Sequence, residues 1–140
     1  WNNSQLTAEK FERRYPTLLK YSHHYHTGDL IKFDNDGYAV YVGRKDDVGR
    51  IGGNLIAPQE IENVLNGHPQ VLESAVIFPS DALGEKIIEA HVILKEKVSS
   101  EELESFCKDR LAVYQIPKKW VFRDSLPKTE NGKLQRKSLY

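Results

Sequence analysis

The chain has 140 residues, of which 39% are hydrophobic and 29% are charged. This balance is typical of globular proteins and excludes a disordered or membrane-embedded class. Lys and Arg together number 20, as do Asp and Glu, so no net charge favours nucleic acid or anionic lipid as a partner. The apolar runs are shorter than the ~20 residues of a membrane-spanning helix, and we expect no membrane span.

Cys107 is the single cysteine, and methionine is absent from a chain that starts at Trp1. One cysteine cannot form an internal disulfide, which favours a reducing compartment and therefore a cytoplasmic location. Because translation starts at methionine, the sequence predicts either a processed piece or a part of a longer protein.

The first 28 residues carry weak signals. Thr7 suits the N-cap of a short helix over residues 8–14. His23, His24 and His26 follow, and a metal site there would need a further carboxylate or cysteine at ligand spacing. None is evident, so the pattern favours a solvated loop and we expect no metal site.

The next segment predicts a β-hairpin. Residues 30–33 and 38–42 have strand composition, and the polar turn 34–37 joins them. Asp29 follows Gly28 at the edge of the first strand. Its carboxylate is well placed to accept hydrogen bonds from a diol such as a ribose. On chemistry alone, a turn-capping aspartate is the stronger of the two interpretations.

Residues 43–60 contain glycines, arginines and two adjacent aspartates at high density. Glycine adopts backbone angles that are closed to other residues, so this density indicates turns, a hinge or a close approach to a ligand. We interpret the segment as both a hinge and part of a ligand site.

After this segment the pattern predicts a small α+β domain with a mixed or antiparallel sheet and packed helices. Pro58 begins a helix with an apolar face, which ends at Asn66 and Gly67. Ser99 begins a second helix, and Cys107 lies on its apolar stripe as a core residue. Hairpin and strand patterns surround these helices at residues 49–57, 71–78, 86–94 and 120–122.

The tail places Lys133 directly after an Asn131-Gly132 turn. An ammonium at a loop tip suits the neutralisation of phosphate or carboxylate oxygens. A solvated basic end is the alternative, and it would prevail without further context. A nucleic-acid patch is disfavoured because the chain is neutral and lacks interleaved aromatic residues there.

The order of several short motifs resembles the C-terminal part of the adenylate-forming enzymes. This family includes acyl-CoA synthetases, adenylation domains of peptide synthetases and luciferases. Each motif alone is weak, but their order and spacing together are specific from residue 25 to residue 139. The motifs are Tyr25-His26-Thr27-Gly28-Asp29-Leu30, Asp36-Gly37-Tyr38, Gly43-Arg44-Lys45-Asp46-Asp47, Gly53, Pro58-Gln59-Glu60-Ile61-Glu62, Gly84-Glu85 and Pro127-Lys128-Thr129-x-x-Gly132-Lys133-x-x-Arg136.

The resemblance implies a two-step reaction. A carboxylate attacks the α-phosphate of ATP to give an acyl-adenylate, and the thiol of CoA or of a carrier protein's phosphopantetheine then displaces AMP. It also implies that residues 1–45 end a large N-terminal domain with their hairpin, and that residues 46–140 form a mobile C-terminal lid. The missing domain holds the acid substrate, so we expect this chain alone to be inactive.

The resemblance also assigns residues by position. Asp29 would bind the ribose hydroxyls of ATP, and Arg44 would contact the nucleotide nearby. Asp46 would be the hinge. Lys133 would be the catalytic residue of adenylation, and Gly53 would border the pantetheine tunnel. Mg²⁺ would accompany ATP, and no residue of this chain is expected to bind a metal.

Three positions depart from the family pattern. Gly49 and Arg50 replace a hydrophobic residue and Lys, which we expect to loosen the backbone, and Leu55 replaces an Arg that often meets phosphate. In this resemblance, the Gly52-Gly53-Asn54 sequence slightly favours a CoA ligase over an adenylation domain of a peptide synthetase. A free-standing module that docks a carrier protein or another partner is a further alternative, and native size would distinguish it from a ligase.

Overall fold

The structure, a computed structural model, describes residues 4–5, 11–13 and 23–140. Ser4 and Gln5 are helical. Strand β1 (Phe11–Arg13) pairs antiparallel with β2 (His23–Tyr25).

This pairing corrects two expectations. Residues 11–13 are a strand and not part of a helix over 8–14, and residues 23–25 are a strand and not a solvated loop. Isolated short helices are marginal in water, whereas pairing these two segments satisfies the backbone groups along the edge that they share. The expected cap, Thr7, lies outside the described residues.

The predicted hairpin is confirmed as β3 (Asp29–Phe33) and β4 (Ala39–Arg44), which pair antiparallel. Asp34 builds its turn, because Oδ1 accepts from the backbone N–H of Asp36 at 3.0 Å and of Tyr38 at 2.8 Å. The hairpin exposes large apolar side chains, including Ile31 and Phe33.

The second hairpin is formed by β5 (Gly49–Ile51) and β6 (Asn54–Ile56). Its two-residue turn has positive φ at Gly52 (54°) and Gly53 (83°), which is the signature of a type I′ turn. Gly49 does not loosen the backbone as expected. It is buried in β5, and a Cβ there would overlap the ring of Phe78, so this glycine is a packing requirement.

The main sheet is mixed, as predicted. Strand β7 (Val71–Ile77) pairs antiparallel with β8 (Glu89–Leu94), and β8 pairs parallel with β9 (Lys119–Phe122). The predicted strand over 86–94 begins only at Glu89, because Lys86 forms a single bridge with Ser80.

Two α-helices accompany this sheet. Helix α1 (Pro58–Asn66) begins at a proline, and helix α2 (Ser100–Lys108) is capped by Ser99, whose Oγ accepts from the Glu102 N–H at 3.2 Å. Short 3₁₀ turns follow at Val113–Gln115 and Arg136–Leu139.

The sheet is covered on both faces. One apolar cluster joins α1 and α2 to the sheet, with Ile61, Leu103 and Val92 among its members. A second cluster joins the other face to the tail, through Ile93 and Leu139. Strand β8 contributes to both clusters, because alternate residues of a strand point to opposite faces. The tail that carries Lys133 is therefore packed onto the sheet.

Cys107 is fully buried within the first cluster. Burial disfavours the thiolate and raises the pKa of the thiol to about 11. This confirms Cys107 as a core residue.

Candidate functional site

The register of the first hairpin places Asp29 directly opposite Arg44. The Arg44 Nη1 donates to the Asp29 Oδ1 at 2.5 Å. That hydrogen bond holds the pKa of the Asp29 carboxyl below its usual range, and Asp29 in turn raises the pKa of Arg44. The backbone N–H of Asp29 is capped by Thr27 Oγ1 at 3.1 Å. The Asp29 carboxylate therefore faces Arg44 while Thr27 caps the turn.

Asp46 lies in the short connection 45–48 between β4 and β5, and it is exposed. Both of its neighbours are held. The Lys45 N–H donates to the Gly28 carbonyl at 2.7 Å, and the Asp47 N–H donates to the Arg44 carbonyl at 3.1 Å. The second bond spans Asp46 and closes a turn in which Asp46 is a central residue.

Lys133 lies in a tight hairpin of the tail. The Thr129 N–H donates to the Lys133 carbonyl at 2.7 Å, and the Gly132 N–H donates to the Thr129 carbonyl at 2.8 Å. Gly132 has a φ of +76°, which favours glycine at this turn. The Lys133 side chain is exposed and forms no ion pair with another residue in the described part of the chain.

Arg44 and Lys133 line one cleft of about 270 Å³, although they are far apart in the sequence. Arg136 is a third cation in this cleft, and Asp47 is its one carboxylate. Asp29 is attached to the cleft through Arg44. Arg44 is paired with Asp29, and Arg136 is paired with Glu62 and Asp47, so the Lys133 ammonium is the unpaired cation among the described lining residues. An unpaired cation in a concave site attracts anions such as phosphate groups.

Gly53 does not line this cleft. It lies at the tip of the second hairpin, where a Cβ would meet no heavy atom within 4 Å. The positive φ of the type I′ turn is sufficient to explain a glycine there. Its role beside a pantetheine tunnel stays a prediction.

The sequence analysis did not assign a role to Arg136 or Glu62. The Arg136 Nη2 lies 2.6 Å from both carboxylate oxygens of Glu62, and its Nη1 lies 3.8 Å from Asp47 Oδ2. Burial raises the pKa of Glu62, and Arg136 opposes that shift. The sequence carried one signal for this contact, because Glu62 directly follows Ile61 on the apolar side of α1. A buried carboxylate there requires a partner.

Among the residues whose side chains the structure describes, no group of three His, Cys, Asp or Glu side chains could hold a metal ion. The side chains of His23 and His24 lie outside that part of the chain. No helix in the described residues is long and apolar enough to cross a membrane.

Comparison with known proteins connects this arrangement to a family. The family model described as "AMP-binding enzyme C-terminal domain" matches residues 60–133. One of the plipastatin synthase subunits from Bacillus subtilis is 37% identical over 140 residues, which is 99% of this chain and 4% of that protein.

Solved structures match as well. The o-succinylbenzoate CoA synthetase of Bacillus subtilis, in complex with an acyl-adenylate intermediate, is 40% identical with a TM-score of 0.78, over 82% of this chain and 24% of that one. ATP-bound MatB from Rhodopseudomonas palustris is 30% identical with a TM-score of 0.84, over 99% of this chain and 26% of that one.

The chain thus spans about a quarter of these two solved structures and a few per cent of the peptide synthetase. Its α+β fold and the resemblance to the C-terminal part of adenylate-forming enzymes are confirmed. The chain belongs to the AMP-binding enzyme C-terminal domain family.

Proposed function

We propose that this chain is the C-terminal part of an ATP-dependent acid–thiol ligase. In its first step, a substrate carboxylate oxygen bonds to the α-phosphorus of ATP while the bond to pyrophosphate breaks. In its second step, a thiol loses its proton and its sulfur bonds to the acyl carbon while AMP leaves. Residues 46–140 are the mobile lid of this enzyme, and residues 1–45 end its large domain.

The observation that carries the proposal is the shared cleft of Arg44 and Lys133. The first step concentrates negative charge where the carboxylate meets the phosphate. A preorganised cation at that point stabilises the transition state, and removal of one such donor typically lowers kcat by about a hundredfold or more. Lys133 is suited to this role, because its ammonium is exposed at the tip of a hydrogen-bonded hairpin.

Asp29 and Arg44 form the nucleotide side of the proposed site. Asp29 is exposed, and the Arg44 hydrogen bond holds the pKa of its carboxyl below its usual range. An ionised carboxylate can accept hydrogen bonds from both hydroxyls of a ribose. Arg44 orients that carboxylate and brings a positive charge to the cleft. The pair is half-exposed, as a site for an incoming nucleotide requires.

Lid motion is assigned to Asp46. Asp46 is exposed in the connection between β4 and β5, and hinges are a few residues in loops or at the ends of elements. A change of its backbone angles releases the Asp47 N–H bond to the Arg44 carbonyl, which spans it. Mg²⁺ is expected to accompany the ATP phosphates. The cleft offers this ion one carboxylate, Asp47, which already contacts Arg136, so no residue of this chain is assigned as its ligand.

The thiol acceptor is assigned as CoA, with Gly53 beside the pantetheine arm. A carrier-protein phosphopantetheine is the second candidate, and it is favoured by the match to a peptide synthetase over 99% of the chain. An assay of the complete ligase with free CoA and with a loaded carrier protein distinguishes the two acceptors.

A chimera tests the proposal without knowledge of the natural acid. The C-terminal quarter of the o-succinylbenzoate CoA synthetase would be replaced by the matching part of this chain. We expect ATP-dependent CoA ligation well above that of the large domain alone, and loss of adenylation on Lys133→Ala. Activity no higher than that of the large domain alone contradicts the proposal, as does an active chimera that is indifferent to Lys133→Ala.

A further inference from the structure

Arg136 joins three separate parts of the fold. It follows the hairpin that carries Lys133, it binds Glu62 of α1 through Nη2, and it approaches Asp47 beside the predicted hinge through Nη1. Its side chain is 18% exposed, so it is largely withdrawn from solvent and does not act as a mobile surface cation.

Glu62 makes this contact rigid. The residue is 3% exposed, and its Oε1 also accepts from the backbone N–H of Val76 in β7 at 2.8 Å. A buried carboxylate needs its partners, because an unpaired charge in the interior carries a large desolvation penalty. One nitrogen, Nη2, contacts both Glu62 oxygens, while Nη1 of the same guanidinium reaches Asp47 at 3.8 Å. The planar guanidinium thus presents two nitrogens to two carboxylates, whereas a lysine offers a single point charge.

The position of Arg136 connects this anchor to Lys133. The Gln135 N–H donates to the Pro127 carbonyl at 2.8 Å, and the backbones of Lys128 and Leu134 form an isolated antiparallel β-bridge. These bonds close the hairpin immediately before Arg136. Lys128 ties the hairpin to Glu73 at 2.8 Å and Leu134 packs on the second apolar cluster, and Arg136 adds the contact that holds the hairpin against α1.

We propose that Arg136, held by Glu62 and Asp47, is a positioning residue that fixes the Lys133 hairpin against α1 and against the segment beside Asp46. The clamp makes the adenylation lysine and the lid side of the hinge one rigid unit. This inference rests on the proposed function for its catalytic consequence, but its structural half can be measured without any activity.

Backbone hydrogen exchange in the complete ligase tests the structural half. We expect Glu62→Gln and Arg136→Lys to speed exchange at least several-fold in peptides covering residues 127–135, with β8 unchanged. Asp47 is more exposed than Glu62, so Asp47→Asn is less disruptive to folding. It should also speed exchange in these peptides, but to a smaller extent. Lys137→Gln is the matched control, because Lys137 is an exposed cation of the same 3₁₀ turn. Unchanged exchange in all three clamp variants overturns the inference, whatever the activity.

Half-reactions test the catalytic half. We expect Glu62→Gln to lower the kcat of adenylation about tenfold or more, with the KM for ATP and thioester formation from supplied acyl-adenylate changed less than about twofold. In a Lys133→Ala background the same change should have no further effect on adenylation, since residues that act as a unit are not additive. Equal losses in both half-reactions, or additive losses, overturn the positioning role. If Lys133→Ala itself leaves adenylation intact, the proposed function fails instead.

Discussion

Arg44, the last residue of β4, lies opposite Asp29, the first residue of β3, and donates to its carboxylate at 2.5 Å. The pair is built by the hairpin itself, since its ladder brings together two residues that are 15 positions apart. Arg44 also lines the cleft that contains Lys133. The proposed ribose-binding acceptor and the proposed catalytic cation are therefore linked through one guanidinium.

Asp29→Asn tests the acceptor role. An amide has one oxygen and no charge, so it should hold the ribose hydroxyls less well, and the KM for ATP in the complete ligase should rise about tenfold or more. Steady-state kinetics with varied ATP measure this. Asp36→Asn, in the exposed turn of the same hairpin, is the matched control and should change little. An unchanged KM in Asp29→Asn would show that the carboxylate only orders Arg44.

Asp46→Pro tests the hinge. Proline fixes φ near −65°, so the lid should favour one of its two poses and one half-reaction should fall more than the other. Adenylation is followed by carboxylate-dependent ATP–pyrophosphate exchange, and thioester formation by supply of acyl-adenylate. Asp46→Ala leaves φ free and serves as the control. If both half-reactions keep their rates in Asp46→Pro, the pivot is not at this residue.

Gly53 can be tested against its neighbour. Both Gly52 and Gly53 have positive φ, so Asn, which tolerates such angles better than other residues, should strain the turn similarly at either position. If Gly53 borders the pantetheine arm, Gly53→Asn should slow thioester formation at least several-fold more than Gly52→Asn, with adenylation unaffected. Equal rates in the two variants would mean that the turn alone requires the glycine.

Cys107 predicts a pH dependence of stability. Its thiol has a raised pKa of about 11 in the folded chain against 9.0 unfolded, so the folded state holds the proton more tightly. The stabilisation is complete below pH 9 and is lost as pH rises through 11. By linkage this rise in pKa amounts to about 3 kcal/mol in the free energy of unfolding. Urea unfolding between pH 9 and pH 11 measures this loss of unfolding free energy. In Cys107→Ala the loss over the same range should be smaller by that amount. An identical pH profile in Cys107→Ala would contradict the raised pKa.

Local signals predicted much of the fold. The Asp34-to-Gly37 turn, the helix start at Pro58 and the cap at Ser99 depend on residues close in sequence, and all three appear as expected. Arg44 and Asp29 were each identified from a motif, although their contact was not.

What escaped the sequence depends on distant partners. Strand β1 forms because it pairs with β2, which no pattern within residues 8–14 reveals. The need for glycine at position 49 comes from Phe78. The Glu62–Arg136 contact spans 74 positions, so sequence can show that a buried carboxylate needs a cation without showing which one.

The contrast between the two half-reactions in Lys133→Ala tests the central claim most directly. In the complete ligase, adenylation should fall about a hundredfold or more, while thioester formation from supplied acyl-adenylate should stay within about twofold of the unsubstituted enzyme. Lys137→Ala, which removes an exposed cation of the same tail, should leave both half-reactions intact. Equal losses in the two half-reactions of Lys133→Ala would contradict the role assigned to Lys133 and to its cleft.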